Sequence, residues 1–269
     1  MIIVATLVAG AIYFVFMTDR AVAPNPEIGY SSPEPSVTQT ESYQSETAKQ
    51  IEAAVLMYHH IGPLPEKADD IRKGLTVSSE EFDTQIKYLS EKKYRFITLF
   101  ELEKAIKAKK VPDKALVLTF DDGYSDNYSQ ALPILKKYNA VGTFFIITSK
   151  MDTGEYMTKD QVRELYKAGN EIGSHTLTHP SLDKLKGSAL AKELSQSKTE
   201  IETLTGNPVV SLCYPSGKYN DETVKAATDA GYKIAVTTHA STGTVSPDRL
   251  LEIYRYRISS SMSFAALFR

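Results

Sequence analysis

The chain has 269 residues, a formal net charge of −2, and ordinary shares of hydrophobic (42%) and charged (24%) residues, which suits one large α/β domain or two small ones. Neither that balance nor any Lys/Arg block offers a phosphate backbone something to grip, so no nucleic-acid partner is expected. Its single cysteine, Cys213, excludes an internal disulfide framework, and with no Trp the sixteen Tyr must supply most aromatic surface for a ligand.

The chain opens on "MIIVATLVAGAIYFVFM", apolar from Met1 to Met17, with the first charges at Asp19 and Arg20. This run falls just short of a spanning helix of roughly 20 residues and exceeds the core of a cleaved signal, about 7–15 residues. It has no basic leader, and "FVFMTDR" is not a small-x-small cleavage site. The reading is an uncleaved membrane-anchor helix over 1–20, in preference to a cleaved signal that would release the protein. Residues 21–52 are rich in Pro, Ser, Thr and Glu and poor in large aliphatics. That composition predicts a disordered linker, tethering a catalytic domain (53–269) outside the membrane.

From Ala53 onward, short apolar runs predict strands at Ala54–Ile61, Phe96–Leu99, Ala115–Phe120, Thr143–Thr148, Val209–Tyr214, Lys233–Thr237 and Ile253–Ile258. Amphipathic stretches such as "SEEFDTQIKYLSEKK" and "LAKELSQSKTEIETLTG" separate them, several closed by a glycine at the cap position: Gly169, Gly206 and Gly231. Strands alternating with helices imply a parallel sheet, and about seven such units favour a distorted, closed (β/α) barrel over an open doubly wound sheet. No Gly-x-Gly-x-x-Gly and no phosphate loop follows any strand, so no nucleotide cofactor is expected.

In such barrels the active site lies at the carboxyl ends of the strands. Two of those ends carry chemistry. In "LTFDDGYSDNY" the strand Ala115–Phe120 ends on adjacent carboxylates, Asp121 and Asp122, where a plain turn needs only one. In "EIGSHTLTHP" a short strand, Glu171–Ser174, runs into His175 and His179. Two imidazoles four residues apart converge on one side, and with one carboxylate they form a three-ligand set that leaves positions open for water and substrate. The set suits Zn²⁺, with Co²⁺ or Ni²⁺ as alternatives. The second carboxylate, near the cation but unligated, is free to take a proton from water. Each motif alone has a plainer explanation, a polar turn or two solvated histidines. The residues themselves do not say which Asp does which job.

"TFDDGY" followed about fifty residues later by "SHTLTH" resembles the polysaccharide deacetylase family, the NodB-homology carbohydrate esterases, over roughly Val55 to the C-terminus. The resemblance implies a distorted (β/α) barrel and a divalent metal. It also implies hydrolysis of acetyl groups on N-acetylglucosamine in an acetylated amino-sugar polymer of the cell envelope or surface. By motif, Asp121 corresponds to the general base, and Asp122, His175 and His179 to the metal ligands. The family's Arg-x-Pro-x-Gly motif is matched by "CYPSG", with Cys213 where Arg would stand before Pro215, Ser216 and Gly217. Arg255 and Arg257, two apart on the last strand, are the candidates for the missing base-orienting cation. The backbone N–H of Ser216 is the candidate oxyanion donor. No late Leu-x-His motif is present. "VLMYHHIG" resembles a branch acting on poly-N-acetylglucosamine or peptidoglycan in which that element sits on the first strand, making His59 the candidate general acid and His60 the alternative, since neighbours on a strand face opposite ways. Tyr124, Tyr214 and Tyr219, with Pro215 and Gly217, are candidates to border the sugar site. Rival readings are an O-acetyl esterase, which uses identical chemistry, and a catalytically silent glycan-binding module, which the substitution at Cys213 alone would favour.

Overall fold

The computed structural model describes residues 42–45, 48–260 and 264–268. The apolar segment 1–20 and the linker up to residue 41 lie outside the described residues. Among the described residues no helix is long and apolar enough to cross a membrane.

Seven parallel strands form the barrel: β1 (Ile51–Tyr58), β2 (Ala115–Phe120), β3 (Thr143–Ile146), β4 (Glu171–Ser174), β5 (Ser211–Cys213), β6 (Ile234–Ala240) and β7 (Ile253–Arg257). They neighbour one another in sequence order, and β1 closes the ring by pairing with both β2 and β7. The closure is uneven. Six successive residues of β1, Ala53–Tyr58, pair with β2, but only Leu56 and Met57 pair with β7, and β4 meets β5 through Ser174↔Leu212. These short ladders make the barrel irregular. Two-residue strands cover its lower edges: Arg95–Phe96 runs parallel to the start of β2, and Thr244–Val245 antiparallel to the start of β1.

Strand alternation sorts the side chains into two cores. On β1 and β2, Ala53, Val55, Ala115 and Val117 belong to one core with Val236 and Ile253. Leu56, Tyr58, Leu116, Leu118 and Phe120 belong to the other, against the helices. Helix α1 (Ser79–Glu91) buries Phe82, Ile86 and Leu89 there, capped by the Ser78 side chain, which accepts the Glu81 N–H. Lys159–Lys167 and Gly187–Thr205 bury Val162, Leu165, Leu190, Leu194 and Ile201. Continuing the first row of β2 upward gives Thr119 and then Asp121. The row that is apolar below turns polar at the top.

The predicted strands fall within a few residues of those observed, and Gly169, Gly206 and Gly231 all have positive φ. The linker boundary moves. Ile51 and Glu52 belong to β1, and Tyr43 bridges to Pro112. The Gln44 side chain explains why: its amide donates to the Glu52 carbonyl (2.7 Å) and accepts the Glu52 N–H (2.8 Å), completing the strand as a backbone would. Phe96–Leu99 is also shorter as a strand than expected, because Thr98 caps a helix over Leu99–Lys107 through a reciprocal capping box with Glu101.

Candidate active site

Asp121 and Asp122 leave the top of β2 in different backbone conformations, and this divides them. Asp122 has φ +72°, a left-handed setting uncommon for a residue with a side chain. The turn aims Asp121 down into the barrel and Asp122 across towards β4.

Asp121 is 2% exposed. Arg255, fully buried on β7, donates to it twice, Nη1 to Oδ1 and Nη2 to Oδ2, each at 2.7 Å. The guanidinium is itself anchored, donating from Nε to the Thr237 carbonyl (2.9 Å) and from Nη1 to Thr119 Oγ1 (2.8 Å). A register shift between Ile253 and Arg255, opposite Val236 and Ala240 of β6, makes room for that arrangement. Burial alone would raise the Asp121 pKa, but the guanidinium outweighs it and holds the carboxyl well below the usual carboxylate range. Cys213 lies beside the pair, its Sγ 3.5 Å from Asp121 Oδ2 and 3.3 Å from Arg255 Nη2. The guanidinium absent at position 213 thus reaches the same carboxylate from β7. Arg257, the other candidate, is exposed at the rim.

Asp122 Oδ1 lies 3.3 Å from His175 Nε2 and 3.6 Å from His179 Nε2, and the three ligand atoms lie within 4.8 Å of one another. His175 Nδ1 donates to the Cys213 carbonyl at 2.8 Å. That acceptor keeps the proton on Nδ1, so the Nε2 lone pair faces Asp122. The histidines sit on a loop: Thr176 (φ +66°) and His179 (φ +65°) are both left-handed and fold the chain back, which brings the two rings together. Burial and neighbouring His175 lower the His179 pKa, favouring its neutral, ligating form. Burial also pulls the His175 pKa down, but Cys213 and Asp122 outweigh it and raise it well above the imidazole value. Two Nε2 lone pairs, one carboxylate oxygen and an open side at half-exposed His179 fit a divalent ion.

His59 and His60 point in opposite directions. His59 faces the site, Nε2 3.8 Å from Asp121 Oδ2. Burial lowers its pKa to about 4 although Asp121 and Asp122 pull upward. His60 turns away, Nδ1 2.7 Å from Asp126 Oδ2 and its ring stacked on Tyr124 at 3.6 Å between centroids.

Ser216 is exposed with φ +55°, and its N–H has no acceptor among the described residues. Pro215 and Gly217 are buried and shape that turn. Gly217 (φ +68°) lies so close to β6 that a Cβ would come within 2.7 Å of the Thr238 nitrogen. Tyr124 is half-buried beside Asp122, and burial with that carboxylate raises its pKa; its ring stacks on Tyr156. Tyr214 does not border a sugar site: it is fully buried, packed against Tyr219 at 4.8 Å. A ring following strand β5 alternates into the helix-facing core. Tyr219 donates its hydroxyl to Glu252 (3.0 Å) and packs on the same core. The sequence did not single out Asp126, Asn127 or Tyr156. The polar string "YSDNY" after the carboxylates was the available signal for the first two.

A family model described as polysaccharide deacetylase matches residues 108–235. The chain is 32% identical to YxkH of Bacillus subtilis (strain 168), whose name places it among polysaccharide deacetylases, over 92% of this chain and 88% of the relative. The chain belongs to the polysaccharide deacetylase family. It is 31% identical to the poly-beta-1,6-N-acetyl-D-glucosamine N-deacetylase of Staphylococcus aureus (strain MRSA252), over 60% of this chain and 60% of the length of that enzyme. Among solved structures it is similar to the Streptococcus pyogenes deacetylase PplD in complex with acetate, at 31% identity and a TM-score of 0.74, covering 81% of this chain and 96% of that one. The deacetylase barrel expected from the sequence is the one observed, and the chain is a hydrolytic deacetylase.

Proposed function

We propose that this deacetylase removes N-acetyl groups from N-acetylglucosamine residues of a cell-envelope or surface polysaccharide, with the ligand set Asp122, His175 and His179 holding a divalent metal. The carrying observation is the division of labour between neighbouring carboxylates. One faces two imidazoles at 3.3 and 3.6 Å, and the other is clamped by a buried guanidinium at 2.7 Å. Zinc is the preferred ion for two imidazoles and a carboxylate, and when bound it would supply Lewis-acid activation of water and of the acetamide carbonyl.

The remaining work falls to the chain. Asp121, kept ionised by Arg255, accepts the proton of the attacking water. The free Ser216 N–H donates to the carbonyl oxygen as it gains charge. His59 Nε2, 3.8 Å from Asp121 Oδ2, receives that proton and delivers it to the nitrogen as the C–N bond breaks, releasing acetate and a free amine. Tyr124 forms the wall beside Asp122. The apolar start of the chain supports a membrane-anchored enzyme with its catalytic domain outside the cytoplasm, joined by the Pro/Ser/Thr/Glu-rich linker.

The test is acetate release by the zinc-loaded protein from chito-oligosaccharides, poly-N-acetylglucosamine, peptidoglycan fragments and O-acetylated xylan oligomers. Release from N-acetylated polymers, abolished by chelation and by Asp121→Asn, is expected. Release confined to O-acetyl esters, or surviving both treatments, overturns the proposal.

A further inference from the structure

His59 is the one residue between the end of β1 and a two-residue ladder in which His60 and Ile61 pair with Thr76 and Val77, so it is itself outside both ladders, yet its task requires a set distance from Asp121. What holds it comes from the polar string that follows the carboxylates. Asn127, fully buried, donates from Nδ2 to the His59 carbonyl at 2.7 Å and to Asp126 Oδ1 at 3.0 Å. Asp126 in turn accepts the Ile61 N–H on Oδ1 (3.4 Å) and meets the His60 ring nitrogen on Oδ2 (2.7 Å). Three consecutive residues, His59, His60 and Ile61, are therefore gripped by two adjacent side chains.

Two features set this grip apart from ordinary packing. Asn127 opens a single π-turn, Asn127–Ala131, an irregularity that turns its amide towards β1. Its Oδ1 is buried without a partner among the described residues, so the side chain is placed for its donor and not for complete satisfaction. The grip also starts four residues after Asp122 on the same turn. One rigid segment, 121–127, carries the base, carries a metal ligand and fixes the third group.

We propose that Asn127 and Asp126 are positioning residues for His59, setting its imidazole in register with Asp121 without touching substrate. This rests on the acid role assigned to His59. That role matters only where the leaving group needs a proton: an amine does, whereas 4-nitrophenolate leaves unaided.

The experiment compares wild type, Asn127→Leu and His59→Ala of the full chain, zinc-loaded, on N-acetylated chito-oligosaccharides and on 4-nitrophenyl acetate. By analogy with residues that orient a ligand, Asn127→Leu is expected to lower kcat on the amide about 10–100-fold, with KM and the aryl acetate rate within about 2-fold of wild type. In the metal-free protein the His59 ring signals in NMR should move or broaden in the same variant, while those of His179 stay. Parallel loss on both substrates, or no loss on either, overturns the inference. An unaffected His59→Ala would instead remove the acid role itself, a different failure seen in a different arm. If Asn127→Leu does not fold, Asn127→Ser, smaller and still polar but too short to reach the His59 carbonyl as the amide does, carries the same comparison.

Discussion

The two ends of the barrel each bury a carboxyl, and the two behave in opposite ways. Asp121 at the mouth is 2% exposed and Glu171 at the floor 3%. Both lose water, which raises a carboxyl pKa. At the floor only neutral groups answer: Glu171 Oε2 accepts the Phe100 N–H (2.9 Å) and the Thr143 hydroxyl (2.8 Å), and burial still leaves its pKa raised. At the mouth a guanidinium answers and the pKa falls. Burial is common to both; countercharge decides. The floor carboxyl ties the N-terminus of the helix Leu99–Lys107 to β3 and β4, an architectural role. The mouth carboxyl is held charged beside His59 and Cys213.

Five substitutions sharpen that contrast. The largest effect belongs to the proposed ligand set. Asp122→Ala should abolish stoichiometric zinc binding in calorimetry together with activity. Asp121→Asn should keep the zinc while losing about 10²–10⁴ in kcat, as removal of a general base does. Because Cys213 and Asp122 raise the His175 pKa well above the imidazole value in the metal-free protein, zinc binding should release protons and weaken as pH falls, seen as a buffer-dependent enthalpy.

Arg255→Met comes next. It strands a buried carboxylate, a loss of about 3–5 kcal/mol in denaturant titration at neutral pH. The sign with pH follows. In the wild type the lowered Asp121 pKa gives stability that is present above the unfolded value of about 3.9 and lost only as pH falls through the lower folded value. Without the guanidinium, burial raises that pKa, so the variant should recover stability relative to wild type as pH drops from 7 to 5. Gly217→Ala is smaller, about 1–3 kcal/mol, since a Cβ meets the β6 backbone at a left-handed φ.

Glu171→Gln is the smallest. A raised acid pKa gives stability that is present below the unfolded value of about 4.3 and lost as pH rises through the folded one. The amide, which never ionises, should gain on wild type between pH 4 and 8 by about 1 kcal/mol or less in thermal melts. A cost comparable to that of Arg255→Met would erase the distinction between floor and mouth.

Much of the site was legible in the chain because its parts are local. The pair Asp121–Asp122 ends a strand former run, and His175 and His179 follow another, so the strand ends, the two pairs and the barrel class could be read from short windows, whereas which Asp faces the histidines could not. Tyr214 was misplaced because "LCYP" is apolar throughout and alternation cannot be phased from such a run. The loop that folds His179 back towards His175 could not be told from a helical turn, because left-handed residues other than glycine leave no compositional mark.

Order of strands, the carboxylate pair and the imidazole pair were thus written in the sequence, since periodicity and turn chemistry act over a few residues. Which arginine serves Asp121 was not. Arg255 and Asp121 stand 134 positions apart, and they meet only because β1 closes the ring between their strands and a register shift in β6 opens space for the guanidinium. Such a contact depends on barrel closure and strand register, and both arise from the packing of the whole chain.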